Sequence, residues 1–511
     1  MPTLSRLHTL PPVLWSLNQP VPAYSLAAFR VVFGLCMLWE VYRYLAYDWV
    51  ARYWIIPQIH FPYEGFHWLA PLPGDGMYYL FYGLGVLALM IALGLFYRFS
   101  SLMFFLGFTY IFLLEQTRYL NHFYLIVLLS FLMIFLPAHR VWSWDAYRFS
   151  GRWFKRNDPR QIPFWTVALL RFQLGTVYFL GGVAKLNADW LRGEPMRMWL
   201  AERTGFPLIG PYFTQEWMVY FFSYSGLMID LLALPLLLYR KTRLPMFVVL
   251  VLFHFTNDQL FSIGIFPWMA IGVTTIFFAP DWPRQVLNSL RNHPLLFVIA
   301  MLAGSYLALI VHEEVAFFPM LIGALVGAIL ANNYCTADRA AWKRSTSQPV
   351  SPIISLPRPM PTWGLTLLIV WASIQLAVPL RHYFIPGNVS WTEEGHRFAW
   401  HMKLRDKTGQ VQFFTKDETT REKQAIDARS LGMTDRQWRK MSTRPYLIHQ
   451  LAQHLADQNP GLARPGQGIY VLATCSLNGG EPRLLVDPNV DLTQVDFHDW
   501  KRNEWILPLD I

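Results

Sequence analysis

The chain has 511 residues, of which 54% are hydrophobic and only 15% carry a charge, and its formal net charge is +10. Soluble proteins average about a quarter charged residues, so this composition excludes an ordinary soluble globular chain. The basic residues stand in short links between apolar runs, which indicates membrane lipid rather than nucleic acid as the partner.

Long apolar runs predict transmembrane helices, because a helix needs roughly 20 mostly apolar residues to cross the hydrocarbon core. Some runs are short or interrupted, so we expect about nine to eleven spans. The segment 244–280 contains several polar side chains and Pro267, which predicts either a hairpin or a broken, re-entrant element. The predicted spans lie near 22–46, 78–97, 100–115, 121–137, 165–185, 217–239, 244–261, 264–280, 294–311, 315–332 and 362–380.

The basic links 138–164, 240–243, 281–293 and 333–361 fall on one side of the membrane if eleven spans are counted from a cytoplasmic N-terminus. Cytoplasmic loops carry an excess of Lys and Arg, so this side is predicted to be the cytoplasm. The C-terminal part is then extracytoplasmic. We expect a multi-pass integral membrane protein of the plasma or inner membrane in a microbe, or of the endoplasmic reticulum in a eukaryote.

The predicted fold class is mainly α, with a transmembrane helical domain over 1–380 and a smaller α+β domain over 381–511. In the second domain, alternating apolar residues and turn residues predict strands, and helical periodicity predicts one long helix. The expected elements are a hairpin of 398–405 and 410–415 with a turn at 406–409, a helix over 436–457, and a second hairpin of 468–476 and 483–486.

Polar residues inside membrane spans are costly unless they face a partner or a cavity, so they mark candidate sites. Lys185 ends an apolar run that contains the pair Gly181-Gly182. Either this lysine extends to the membrane interface, or it is desolvated and serves as an amine base. Under the second interpretation, the glycine pair lets another group approach the helix closely.

Two further clusters are candidates. Asn121-His122 either begins a helix, with Asn121 as its cap, or forms a hydrogen-bonding pair that faces a buried ligand. The segment 254–259 places five polar side chains within six residues at membrane depth, where polar and irregular elements occur only inside protein or beside a cavity. This third cluster favours function. The three cysteines show no zinc spacing, and no metal site is predicted.

At these clusters the sequence resembles the vitamin K-dependent γ-glutamyl carboxylase family, in particular a shorter, microbial-type member. The membrane part is also similar to the group described as horizontally transferred transmembrane (HTTM) domains. The segments that carry the resemblance are Asn121-His122, Gly182–Trp190, Gln259–Pro267, Trp391-Thr392, Trp400–Met402, Ile469-Tyr470 and Asp487–Asp491.

The resemblance implies an activity. The family oxidises reduced vitamin K to its epoxide with O₂, and the strong base so formed removes a γ-proton from a peptidyl glutamate, which then adds CO₂. Lys185 matches the lysine that deprotonates the hydroquinone, and Asn121 and His122 would be hydrogen-bonding partners of the quinone or an oxyanion. The remaining implied site residues are Tyr178, His254, Asn257 and Gln259 for the cofactor, and His382, Trp391 and Trp400 for the glutamate substrate.

This chain also departs from the animal enzymes, which are longer and carry a disulfide between their membrane and outer parts. Ala184 stands where a second lysine precedes the matched one. Propeptide recognition of the animal kind is therefore not expected. Two alternatives stay open: a quinol oxygenase that does not carboxylate peptides, and a membrane protein that binds or transports a quinone or lipid without catalysis.

Overall fold

A helical bundle forms the first part of the chain in the computed structural model, which describes residues 16–149, 161–261, 263–311, 317–342, 360–417, 422–458 and 467–509. Each predicted apolar run overlaps a helix within the described residues. The helices are α1 (Tyr24–Ala46), α2 (Gly76–Leu93), α3 (Tyr97–Leu114), α4 (Asn121–Phe135), α5 (Trp165–Ala184), α6 (Glu216–Leu238), α7 (Arg243–Phe261), α8 (Phe266–Thr274), α9 (Trp282–Asn292), α10 (Pro294–Val311), α11 (Phe317–Trp342) and α12 (Thr362–Leu380).

Seven of the described helices are long and apolar enough to cross a membrane, or eight if α9 and α10, which meet at a 118° bend, form one span. This number is below the nine to eleven expected, because α4, α8 and the apolar part of α11 are each shorter than 18 residues. The segment 244–280 is broken: α7 ends at Phe261, and α8 begins at Phe266 after Gly264, whose φ is +81°.

The helices α1 and α5 lie at the centre of the bundle, and 72% of the residues in the apolar stretch of each are buried. In α12 only 11% of these residues are buried, so this helix lies at the periphery. Gly34 explains how closely α1 packs on α2. A Cβ atom at this position would lie 2.6 Å from the backbone nitrogen of Ala92, so any larger side chain would push the two helices apart.

The C-terminal domain contains a four-stranded antiparallel sheet in the order β4-β3-β5-β6. A two-stranded ribbon of β1 and β2 precedes it in the chain, where 20–22 pairs with 161–163 beside the bundle. Short helical segments cover Ala51–Ile55, Gln116–Arg118, Trp144–Phe149, Ala188–Leu191, Met196–Ala201, Gly210–Tyr212, Thr275–Phe277, Arg381–Phe384, Val389–Thr392 and Ala428–Leu431. The strands and longer helices are β1 (Pro20–Pro22), β2 (Gln161–Pro163), β3 (Lys407–Asp417), β4 (Lys423–Ile426), β5 (Gln467–Leu477), β6 (Arg483–Leu484), α13 (Asp435–Met441) and α14 (Pro445–Gln458).

The second predicted hairpin is confirmed, since β5 pairs with β6 around Asn478-Gly479, both with positive φ as a tight hairpin turn requires. The first predicted hairpin is wrong. Residues 398–405 form no strand, because Phe398, Trp400 and Lys403 all have positive φ, and β3 runs through the predicted turn to pair with β5 and β4. The predicted helix 436–457 is two helices, α13 and α14, separated at 442–444 before Pro445.

Two hydrophobic cores meet at the seam between the parts. Trp400 packs into the core of the bundle, while Ile59 and Phe61, from the loop between α1 and α2, pack into the core of the C-terminal domain. Gln437 on α13 donates to the carbonyl of Ile59 at 2.8 Å and to the Glu115 carboxylate at 3.0 Å. Each part therefore inserts a segment into the other, and the seam between them is a packed and hydrogen-bonded interface.

Candidate active site

A buried ion pair lies at the end of α5. Lys185 follows the last residue of this helix, and its Nζ lies 2.6 Å from Oδ2 of Asp230 on α6. Lys185 is 5% exposed and Asp230 is 3% exposed. The lysine therefore does not extend to an aqueous interface: its Nζ is held in apolar surroundings by a single carboxylate and by the carbonyl of Gly181 at 3.3 Å.

The glycine pair before Lys185 allows this contact. A Cβ atom on Gly182 would lie 2.8 Å from the backbone nitrogen of Leu231, and one on Gly181 would lie 2.7 Å from the Met402 methyl carbon. The group that approaches α5 closely is therefore the backbone of α6, at the residue next to Asp230. Asn187 caps the short helix 188–191 by accepting from the backbone N–H of Trp190 at 3.0 Å, as expected of a turn residue.

Lys185 and Asp230 line a mainly apolar cavity of about 390 Å³ between α5, α6 and α7. Tyr178, His254 and Asn257, three of the predicted cofactor residues, line the same cavity. Tyr178 and His254 are joined by a hydrogen bond of 2.8 Å between the phenol oxygen and Nε2. Gln259 is half-buried near the end of α7 and is not part of this lining.

The apolar cavity reaches the outer surface of the bundle. Phe221 on α6 and Leu252 on α7 line it, and these side chains are 59% and 62% exposed. Both belong to helices long and apolar enough to span a membrane, so their exposed faces meet lipid rather than water. A lipid-soluble molecule could therefore enter the cavity between α6 and α7.

A second cavity, of about 640 Å³, lies at the seam with the C-terminal domain. It is strongly basic: seven basic side chains and two acidic ones line it. The basic residues are Lys403, Arg405, Lys407, Arg436, Arg439, Lys440 and Arg444, and the acidic ones are Glu393 and Asp406.

The two cavities share a wall, formed by Trp199, Ile263, Phe266, Met402 and Lys403. Phe266 stacks on the His122 ring, with centroids 5.6 Å apart, and its ring lies 5.7 Å from that of His254. Phe266 thus separates His122, in the basic cavity, from His254, in the apolar cavity. The predicted pair Asn121-His122 faces the basic cavity, and Asn121 does not cap α4 but donates to the carbonyl of His401 at 2.9 Å.

Glu393 is the buried counter-ion of the basic cavity. Its carboxylate accepts from Arg405 at 2.6 Å and from Lys407 at 3.3 Å. Burial pushes the pKa of Glu393 upward, but the charges of Arg405 and Lys407 outweigh it, and the pKa lies below its ordinary value. The carboxylate is therefore ionised at neutral pH, yet it neutralises only part of the surrounding positive charge.

Several polar atoms in this region lack a hydrogen-bond partner within the described part of the chain. They include Nη1 of Arg405, Nε of Arg436, Nη1 of Arg444 and both ring nitrogens of His401. Burial lowers the pKa of His401 well below its usual range, so this ring is neutral. Buried donors are normally satisfied in folded proteins. The unsatisfied donors and the excess positive charge together indicate an anion-binding site.

The predicted substrate residues take different positions. His382 is half-buried beside the basic cavity, with its ring 4.6 Å from that of His401. Trp391 and Trp400 are 0% exposed, which places both indoles behind the cavity walls rather than in them. The Trp391 indole donates to the carbonyl of Leu507 at 2.8 Å and packs in the core of the C-terminal domain.

Sequence reasoning missed Asp230 and the basic residues of the second cavity. Asp230 did leave a signal, since it is an acid inside an apolar run, which is rare in a membrane helix. The basic residues left none, because Arg405 and Arg444 are 39 positions apart in a polar domain and only the folded chain brings them together.

The fold and the site define a class: a polytopic helical membrane protein with a C-terminal α+β domain and a lysine–aspartate pair in an intramembrane cavity. The HTTM domain matches residues 18–282, and the lumenal domain of vitamin K-dependent gamma-carboxylase matches residues 360–511. The chain therefore belongs to the vitamin K-dependent gamma-carboxylase family. No solved structure matches it.

Proposed function

We propose that this protein is a vitamin K-dependent γ-glutamyl carboxylase, which couples the O₂-dependent epoxidation of vitamin K hydroquinone to the addition of CO₂ at the γ-carbon of a peptidyl glutamate. The observation that carries the proposal is the pair of adjoining cavities, one apolar with Lys185 and Asp230, the other basic. A lipid-soluble quinol and an anionic peptide side chain need these two environments next to each other.

The apolar cavity fits a reduced naphthoquinone in size and chemistry. Ligand pockets commonly have volumes of about 300–1,000 Å³ and combine an apolar lining with a few polar groups. Here the polar groups are Lys185, Tyr178, His254 and Asn257, and the opening toward lipid beside Leu252 suits an isoprenoid tail. When bound, the hydroquinone supplies, through its oxidation by O₂, a base far stronger than any side chain.

Lys185, in its neutral amine form, has the position of the residue that accepts the first proton from the hydroquinone. Asp230, 2.6 Å away, stabilises the ammonium group that Lys185 then carries, since an isolated charge in apolar surroundings is costly. The apolar lining keeps water from the site, which protects a strong base from being quenched.

The basic cavity supports the assignment of the peptide substrate. Unpartnered guanidinium nitrogens of Arg405 and Arg444 are available to a carboxylate, and charge-assisted hydrogen bonds of this kind are stronger than neutral ones. A glutamate side chain held there would meet the shared wall at Met402 and Lys403, next to the apolar cavity. A glutamate-containing peptide or protein is therefore the proposed partner.

The proposed orientation places the C-terminal domain on the extracytoplasmic side. The basic links between the helices support this assignment, since Lys and Arg accumulate on the cytoplasmic side. Many of the basic residues in 138–164 and 333–361 lie outside the described residues. Labelling of single cysteines introduced at Lys501 and at Arg240, with a reagent that does not cross the membrane, tests the orientation: intact cells should label the first position alone.

The test uses purified protein in nanodiscs with vitamin K hydroquinone, O₂, labelled bicarbonate and a short glutamate-containing peptide. We expect both epoxide and fixed label, and we expect Lys185→Ala to lose both by at least about 100-fold, as removal of a general base does. Label without dependence on the quinol would overturn the proposal. Epoxide without fixed label, over a range of peptides, would identify a quinol oxygenase instead.

A double variant separates chemistry from folding. Lys185→Ala alone leaves Asp230 buried without its partner, which costs about 3–5 kcal/mol. Lys185→Met combined with Asp230→Leu removes both charges, and such replacements are often neutral for stability. We expect this double variant to retain the thermal stability of the wild type and to form no epoxide.

A further inference from the structure

Lys440 lies among like charges in the basic cavity. It is on α13, with Arg436 four residues before it and Arg444 four residues after it, and all three line the cavity together with Arg405. The acid that interacts electrostatically with Lys440 is Glu393, which already pairs with Arg405 and Lys407. Among the described residues, an ammonium group at Lys440 therefore faces three guanidinium groups and shares Glu393 with two other cations.

This arrangement favours the neutral amine. Repulsion from Arg444, followed by burial and by repulsion from Arg436 and Arg405, lowers the pKa of Lys440 to about 7. A large share of the side chain is then unprotonated near neutral pH and is able to act as a nucleophile. The same guanidinium groups that repel an ammonium group would attract an anion at this position.

We propose that Lys440 binds CO₂ reversibly as a carbamate. The amine nitrogen forms a bond to the carbon of CO₂, one C=O π bond becomes an anionic oxygen, and the nitrogen loses one proton to solvent. No electrons are transferred, and no other reactant is needed. The side chain thereby changes from a cation that its neighbours repel into an anion that they bind.

The neighbouring donors suit such an anion. Nε of Arg436, Nη1 of Arg444 and Nη1 of Arg405 are buried and have no hydrogen-bond partner in the described ranges. A carbamate presents two oxygens, each able to accept more than one hydrogen bond, as a carboxylate does. The excess of basic over acidic side chains leaves charge for a substrate carboxylate in the same cavity.

The carbamate would hold CO₂ in the cavity that receives the peptide glutamate, beside the wall shared with the apolar cavity. This role as a local CO₂ store rests on the proposed carboxylase function, whereas formation of the carbamate requires only CO₂. The two ideas are therefore tested separately, and the carbamate is sought without quinol or peptide.

The experiment uses the full chain in nanodiscs, equilibrated with ¹³C-labelled bicarbonate and CO₂ near neutral pH. A trialkyloxonium reagent then converts any carbamate into a stable ester, and peptide mass spectrometry locates the label. We expect ¹³C at Lys440, with a missed tryptic cleavage there, and at most a trace at Lys501, which is exposed at the surface. Lys440→Met should lose the label at 440, and Lys501→Met should leave it unchanged.

A second variant tests the electrostatic cause. In Arg436→Gln/Arg444→Gln, repulsion of the ammonium group is weaker and the donors for the anion are gone, so labelling of Lys440 should fall at least fivefold. Equal labelling of Lys440 and Lys501, or no label at Lys440 in folded wild-type protein, would overturn the proposal. Either of these results would leave the epoxide and carboxylation assay, and thus the proposed function, unaffected.

Discussion

The two cavities treat charge in opposite ways. In the helical bundle, Lys185 and Asp230 neutralise each other at 2.6 Å inside an apolar lining. In the C-terminal domain, seven basic side chains face two acids, and several guanidinium nitrogens have no partner within the described residues. Charge is balanced where the surroundings are apolar and left in excess at the seam with the C-terminal domain.

The difference has a physical basis. An uncompensated charge inside a membrane span is costly, so a charged lysine there needs a counter-ion within the protein. At the seam, the missing negative charge is what a substrate carboxylate would supply, and the excess positive charge also steers anions toward the site. The charges of the apolar cavity are therefore paired within the protein, whereas the basic cavity keeps an excess of positive charge.

The largest expected effect on activity comes from breaking the pair of Lys185 and Asp230. Asp230→Asn keeps the shape of the side chain but removes the charge that stabilises the Lys185 ammonium group, so we expect the turnover rate of epoxidation to fall about 100-fold. The KM value for the peptide should stay within about twofold, because Asp230 does not line the basic cavity. Steady-state kinetics measures both quantities. A rise in KM with unchanged turnover would contradict the role given to Asp230.

The buried counter-ion of the basic cavity should matter for stability. Glu393→Gln leaves Arg405 and Lys407 without their anion, and breaking a buried pair in this way costs about 3–5 kcal/mol. We expect a lower melting temperature, measured by differential scanning fluorimetry. Adding Gln437→Glu to this variant introduces a carboxylate elsewhere in the same domain, beside Glu115. This carboxylate does not replace the anion at position 393, so the double variant should not regain stability.

The same residue gives a pH dependence. Because the pKa of Glu393 is lower in the folded protein than in the unfolded chain, its contribution to stability is complete above the ordinary glutamate pKa of about 4.3. The contribution is lost as the pH falls through the folded pKa. The difference in melting temperature between wild type and Glu393→Gln should therefore shrink on acidification. A difference that stays constant down to acid denaturation would show that the Glu393 charge is irrelevant.

A smaller effect is expected from one charge of the basic cavity. Arg444→Gln removes a guanidinium group that has no ion-pair partner among the described residues, so the fold loses little. The KM for a glutamate-containing peptide should rise about tenfold, the value of one charge-assisted hydrogen bond. Arg439→Gln is the matched control, because Arg439 is an exposed residue of the same cavity and its charge is screened.

The smallest effect concerns entry into the apolar cavity. Leu252→Trp narrows the opening between α6 and α7, so the KM for a quinol with a long isoprenoid tail should rise roughly two- to fivefold, or about 0.4–1 kcal/mol. The KM for a tail-less naphthoquinol should change less. Leu302→Trp, at a similarly exposed position on α10, is the control and should change neither value. Equal effects on the two quinols would argue against an opening at this place.

The sequence predicted where the apolar helices lie but gave too many membrane spans. A long apolar run has few alternatives to a helix in lipid, whereas the length of each helix is less well determined by the pattern. The prediction failed over 398–405, where alternation suggested a strand. There the backbone turns through positive φ at Phe398, Trp400 and Lys403, which buries Trp400 in the bundle and brings Met402 and Lys403 to the wall between the cavities. Local patterning gave no sign of this, since the constraint comes from packing against the bundle.

Several polar residues of the apolar cavity were recognisable from the sequence, whereas the lysines and arginines of the basic cavity were not. Lys185, His254 and Asn257 were singled out as polar side chains on or next to apolar runs, and Tyr178 through the family resemblance. The structure places all four in the lining of one cavity. The basic cavity is assembled from segments around 393–407 and 436–444, on different sides of β3 and β4 in the chain. Charged residues are ordinary in a polar domain, so only their three-dimensional clustering distinguishes them.

The central claim is that the apolar cavity performs the quinol chemistry while the basic cavity binds the peptide carboxylate. The most direct test follows epoxide and fixed label in the same reactions across a range of peptide concentrations, for Asp230→Asn and Arg444→Gln side by side. We predict that Arg444→Gln regains both products at high peptide concentration and that Asp230→Asn regains neither. Recovery of Asp230→Asn by peptide, or a loss in Arg444→Gln that no peptide concentration restores, would contradict this division of roles.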